Sequence, residues 1–294
     1  MANPIISNGV GSPQSIYDEY VVTATNQTRA EGYHPVGTRG YLPDGRVFYY
    51  CSNGATALTA GSLLIGSALT VTATDDKIVL TDSFANFATG VREGIVLQES
   101  DIETADIIEN SYKDGFMVFE NAAGQGGLYY KIARHSAWTF DGTSTSRTID
   151  LYDPLNGTAV ATDEITFCRN RHDRVITSTT AEEELPVGVA PVAVTASTAL
   201  ATDTATASAA TSTYFFWAQT WGPAAVEVDD TTVALGIAVT SGDTADRVEA
   251  GLMTASTGAT PTLTGYDRIH CGVGMVAAVA AAGDFAMVDL RICP

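Results

Sequence analysis

The sequence predicts an all-β protein, built as β-sandwich or β-barrel domains with an extended N-terminal arm. Three observations carry that expectation. Short apolar, β-branched and aromatic runs alternate with Gly, Pro, Asn and Asp turn signals along most of the chain. Only 17% of the residues are charged, below the usual quarter of a soluble protein. Thr, Ser, Asn and Gln must therefore supply much of the polar surface. Thr and Ser suit strands and turns, whereas helical proteins lean on Glu, Lys, Arg, Leu and Gln.

Residues 1–45 read as an arm, rich in Gly and Pro, with Val21-Val22 as the one short strand. Such a segment buries little by itself and is ordered by lying on the body or on a neighbouring subunit. After the turn signal Asp44-Gly45, the run Val47-Phe48-Tyr49-Tyr50-Cys51 starts the strand-rich part. Leu69 to Ala73 alternates with period two, and Ile78-Val79-Leu80 follows the turn at Asp75-Asp76. Gly115 to Glu120 and Leu128 to Ala133 form a hairpin across a Gly-rich loop, and Thr148 to Tyr152 and Asp163 to Cys168 add two more strands. Residues 100–112 fit a helix behind the capping box Ser100-Asp101-Ile102-Glu103, and fit an extended segment equally well.

The second half begins with Leu185 to Val194, which its prolines assign to a sheet edge or an inter-domain connection. Residues 195–213 are biased toward Thr, Ala and Ser, as a long loop or two weak strands would be. Tyr214 to Thr220, Val233 to Val239, Ile269 to Val279 and Phe285 to Ile292 read as strands. In the first, Tyr214, Phe216 and Ala218 share one face, and Phe215, Trp217 and Gln219 the other. Aromatic residues on both faces predict cover on both sides. The expected division is an arm (1–45), a β-barrel or sandwich domain (46–190) and a second β-sandwich domain (191–294). One interwoven body fits the same pattern.

Charge and motifs narrow the function. The formal net charge is −19, from 34 acidic and 15 basic residues. That disfavours nucleic acid, whose phosphates need clustered Lys and Arg, and anionic membranes. The densest basic stretch is Arg169, Arg171, His172 and Arg174, interrupted by Asp173. No apolar run reaches the roughly 18 residues of a membrane-spanning helix. The opening Met-Ala-Asn-Pro has no signal-peptide character, so synthesis in a reducing cytoplasm is expected. Cys51, Cys168, Cys271 and Cys293 are too scattered for a zinc site and read as buried thiols.

Protease, phosphate-loop and hydrolase signatures are missing from the sequence, and no His, Asp or Glu spacing selects a metal site. The expectation is therefore a non-enzyme with no catalytic residue, no metal and no cofactor. Cys271-Gly-Val-Gly-Met resembles a dinucleotide loop only superficially and reads better as close strand packing. Trp217 and Trp221 fit a core or a subunit contact better than a sugar platform.

Three stretches, Leu42 to Leu63, Tyr112 to Ile132 and Phe216 to Ala225 with Gly272 to Val276, together resemble capsid-associated proteins of tailed bacteriophages, often aquatic ones. The likeness spans most of the chain from Leu42 onward. It implies a decoration or cement protein on the capsid outer surface. Such a protein forms a homotrimer, binds the major capsid protein and braces the shell against internal DNA pressure. On that reading Arg39, Arg46 and Tyr49 are candidate anchors in the capsid or subunit interface, joined by Trp217 and Trp221. A receptor- or glycan-binding module of the virion is the alternative.

Overall fold

The computed structural model describes residues 6–7, 20–24, 34–66, 77–79, 88–97, 109–120, 126–136, 147–158, 164–178, 186–197, 211–228, 233, 235–241, 247–250, 270–275 and 283–292. Among the described residues there are strands and turns and no helix. The expected all-β class holds. Five strands come first: β1 (Ile6–Ser7), β2 (Tyr20–Ala24), β3 (Arg39–Tyr41), β4 (Val47–Ser52) and β5 (Leu63–Ile65). Six follow: β6 (Lys77–Val79), β7 (Ile95–Leu97), β8 (Phe116–Phe119), β9 (Tyr129–His135), β10 (Arg147–Leu151) and β11 (Glu164–Cys168). The last seven are β12 (Ile176–Thr177), β13 (Pro186–Val189), β14 (Thr211–Glu227), β15 (Ala238–Ser241), β16 (Val248–Ala250), β17 (His270–Gly274) and β18 (Phe285–Arg291).

The middle six strands pair only with one another, in the order β6-β11-β8-β9-β10-β7. The other twelve form the second sheet, whose main path runs β1-β3-β4-β14-β18-β17-β15-β16. Both sheets are curled and antiparallel. Strand pairing runs across residue 190/191, because β4 and β13 both lie beside β14. The small sheet has a core drawn wholly from Ile95 to Phe167, centred on Met117, Phe119, Ile132, Ile149 and Ile165. The hairpin read from the sequence is β8 and β9, paired from Phe116↔Lys131 to Val118↔Tyr129.

The seventeen-residue β14 organises the large sheet. Phe215 pairs with both Ser52 and Tyr20, Gln219 with Phe48 and Val189, and Trp221 with Val47 and Arg291. A strand residue has only two lateral neighbours. Strand β4 therefore holds one edge of β14, and β2, β13 and β18 share the other in series. The predicted alternation is present. Phe215 and Trp217 pack with Val36, Leu42, Phe48 and Tyr50 on one face. Phe216 and Ala218 pack with Leu58, Leu64, Val175, Val187 and Val194 on the other. The chain's own segments supply the cover on both sides.

Several expectations are corrected. Strand β13 is buried along its length and lies between β5 and β14, not at an edge. Pro186 is its first residue and Pro191 lies past its end, so neither removes a donor from the strand interior. The run from Val233 is broken at Leu235-Gly236, where Gly236 turns with φ +79, and the strand starts at Ala238. Within the arm the expected strand at Val21-Val22 is part of β2, which lies along β14; β1 pairs with β3, and residues 34–38 and 42–45 are turns and irregular chain. Residues 109–114 form turns, with Asn110 and Asp114 at positive φ. The rest of the helix candidate, the strand at 69–73 and residues 198–210 lie outside the described residues.

Candidate interaction surface

Residues directly opposite each other in an antiparallel pair point to the same face. Tyr41 faces Val47, Val47 faces Trp221, and Trp221 faces Arg291. These four make one row across β3, β4, β14 and β18. Arg39 lies opposite Tyr49 on the same face. Arg39, Tyr41 and Arg291 are exposed, and Tyr49 and Trp221 are half-buried. The Tyr49 ring stacks on His172, with centroids 4.7 Å apart.

The other two candidates sit elsewhere. Arg46 is tied into its own turn, pairing with Asp44 at 2.8 Å and lying 5.9 Å from the centre of the Phe48 ring on the opposite face. Its hydrogen bond holds the Asp44 carboxyl below the usual range. Trp217 is fully buried against His34, Tyr50 and Phe215. It belongs to the core and cannot serve in an outer contact or pair with Trp221 as a sugar platform.

A bulge makes the row possible. From Gln219 to Trp221 strand β14 advances two residues while β4 advances one, Phe48 to Val47. The extra residue reverses the side on which later residues fall. Without it Trp221 would point with Trp217. The buried Gln219 amide donates toward the carbonyls of Trp221 (3.1 Å), Gly222 (3.2 Å) and Pro223 (2.8 Å). Gly222 adopts φ +80, and a side chain there would meet Arg46. Gln219→Leu is expected to leave those carbonyls without the amide and to cost about 1–3 kcal/mol in urea unfolding. Gln219→Glu should cost more, since it turns a carboxylate oxygen toward three carbonyl oxygens.

Beyond the bulge, Pro223, Ala225 and Glu227 of β14 lie beside Asp289, Met287 and Phe285 of β18. Val273 continues the row from Asp289 on β17, and the Met275 amide bonds to the Met287 carbonyl. The opposite side of these strands carries Ala224, Val226, Val288 and Leu290 into the core. The outer side keeps Pro223, Ala225, Met275, Phe285 and Met287 exposed. Leu235, at 72% exposure, projects beside them. The period-two pattern of Phe285 to Arg291 could have revealed this outer side. The small sheet exposes a separate aromatic set, Phe116, Tyr129 and Tyr152, around Lys131.

The basic stretch seen in the sequence is mostly interior. His172, Asp173 and Arg174 are buried where the chain returns from the small sheet to the large one. Ser52 donates to Asp173 at 2.6 Å and accepts the Arg174 amide at 2.7 Å. Burial, assisted by the nearby Arg171 charge, lowers the His172 pKa to about 3, so this ring is neutral at ordinary pH. Cys51 and Cys271 are buried thiols, and burial raises the first strongly and pushes the second up to about 12. Cys168 is half-buried, and Cys293 lies outside the described residues. Among the described residues no group of His, Cys, Asp and Glu forms a metal cluster, and no helix is long and apolar enough to cross a membrane. Gly272 of the dinucleotide-like stretch faces β18, where a Cβ would lie 2.4 Å from the Asp289 carbonyl oxygen. That glycine serves close strand packing.

No protein-family model, curated protein or solved structure matches this chain. The row of Arg39, Tyr41, Tyr49, Trp221 and Arg291 combines the residue types that dominate interface energetics, Trp, Tyr and Arg. It rests on paired strands, so its side chains are held by the sheet beneath them.

Proposed function

We propose that the chain is a non-enzymatic structural protein of a tailed-bacteriophage virion, made in the host cytoplasm and bound to the outside of the capsid as a decoration or cement protein. The observation that carries the reading is the arginine- and aromatic-rich row from Tyr41 to Arg291, set on a rigid sheet in an otherwise acidic chain. Such a row suits a broad protein partner better than a small reactant. The partner is the major capsid protein, and copies of the chain act together as a homotrimer.

Binding to the assembled shell, and not to its separated parts, stabilises the assembled state by mass action. Several linked contacts add avidity, because the second and third are intramolecular. The acidic remainder of the surface favours solubility and disfavours contact with the packaged DNA. The glycan-binding alternative loses the Trp217–Trp221 platform on which it depended.

The test uses particles of the phage that encodes the chain. Particles lacking the protein should release DNA at a lower temperature than complete ones, and adding the wild-type protein back should restore the difference. Trp221→Ala, checked for retained folding by circular dichroism, should bind about 30-fold more weakly, as expected for an interface hot spot. Equal thermal release with and without the protein would overturn the reading.

A further inference from the structure

We infer that the outer face of β14, β18 and β17 is where two copies of this chain meet, with Leu235 of one copy seated on the face of the next. The inference rests on the self-association in the reading above and gives it a location. The face is apolar at its centre, with Pro223, Ala225, Met275, Phe285 and Met287 exposed. At about 4.8 Å between strands and 3.4 Å per residue, it covers roughly 15 by 24 Å. Patches of that size on a soluble protein are commonly functional. Sheets cover such faces by packing on another sheet about 10 Å away.

Charge selects the occupant. The chain as a whole carries −19, so most ways of bringing two copies together oppose like charges. Here the charges come in pairs. Arg291 meets Asp289 at 3.2 Å, and Arg247 meets Glu227 at 3.0 Å. A pair of opposite charges two residues apart on one strand is self-complementary. Arg291 of one copy can face Asp289 of the next, and the exchange is returned around a symmetric assembly. A strongly basic partner would gain more elsewhere on this acidic chain.

Shape agrees with charge. A shallow groove of about 420 Å³ is lined by Leu235, Gly236, Val273, Gly274 and Met275 and by the charged Asp289 and Arg291. A projecting leucine on a partly apolar groove gives two identical surfaces a way to interlock.

Sedimentation equilibrium at micromolar concentration tests the inference. The wild type should be oligomeric. Leu235→Glu and Met287→Glu should each weaken self-association by about 30-fold or more with circular dichroism unchanged, and Tyr129→Glu, on the small sheet, should leave the mass unchanged. A measurement without variants is peroxide oxidation. Met275 and Met287 should be protected in the concentrated wild type and reactive on dilution. A monomeric wild type, glutamate variants that keep the oligomer, or methionines equally reactive at both concentrations would overturn it. A monomer that still binds heads removes this face and leaves capsid binding standing. An oligomer that ignores heads does the opposite.

Discussion

Trp217→Ala is expected to destabilise the large sheet by about 3–5 kcal/mol, the usual cost of truncating a large aromatic residue in a packed core. Trp217 is fully buried and touches His34 and Tyr50 at ring-centre distances of 5.4 and 5.1 Å. Neither ring can close the gap without leaving its own neighbours, because Tyr50 also stacks on Phe215 at 5.6 Å. The small-sheet core shares no residue with this cluster. Amide exchange should therefore accelerate along β4 and β14 and stay unchanged at Met117, Phe119 and Ile132. Equal acceleration in both sheets would show that the two cores unfold as one unit.

Asp173→Ala is expected to cost about 3 kcal/mol, because it removes a buried carboxylate that accepts the Ser52 hydroxyl and lies beside the Arg174 cation. Arg174 and Asp173 are both buried and 4.0 Å apart, and Asp173 also accepts the Ser52 hydroxyl. The arginine sits at φ +52, in the left-handed region that residues with a side chain seldom adopt. Exchanging both charges, with Asp173→Leu and Arg174→Met together, should recover much of the loss, since a packed apolar pair carries no desolvation penalty. A double-mutant cycle in urea reads the coupling directly. If the double variant is as unstable as the single one, the Ser52 contact is the larger contribution.

Local pattern made the strands legible. The alternation of Tyr214 to Gln219 gave both faces of β14, and the turn between Phe119 and Leu128 gave the hairpin of the small sheet. What the pattern hid depends on distant partners. Ser52 and Asp173 are 121 positions apart, and nothing near Ser52 announces a buried carboxylate. The bulge is fixed by the Gln219 amide and by the register with β4, so a simple count of alternate residues assigns Trp221 to the wrong face. Proline chemistry pointed β13 toward an edge, yet both prolines fall where no ladder bond is needed. Of the candidate surface residues, Arg39, Tyr49 and Trp221 do share a face, Arg46 is held on the other, and Trp217 is interior.

The arrangement around β14 has a mechanical meaning. Its 17 residues reach roughly 55 Å at about 3.3 Å each. Neighbours grip one edge through β4 and the other through β2, β13 and β18 in succession. A pull along this strand strains those ladders in shear, so many hydrogen bonds must fail together. A hairpin peeled from its open end gives way one bond at a time. The longest of the described strands thus acts as a tie-rod, stiffest in the direction in which stretching would otherwise separate the two ends of the sheet.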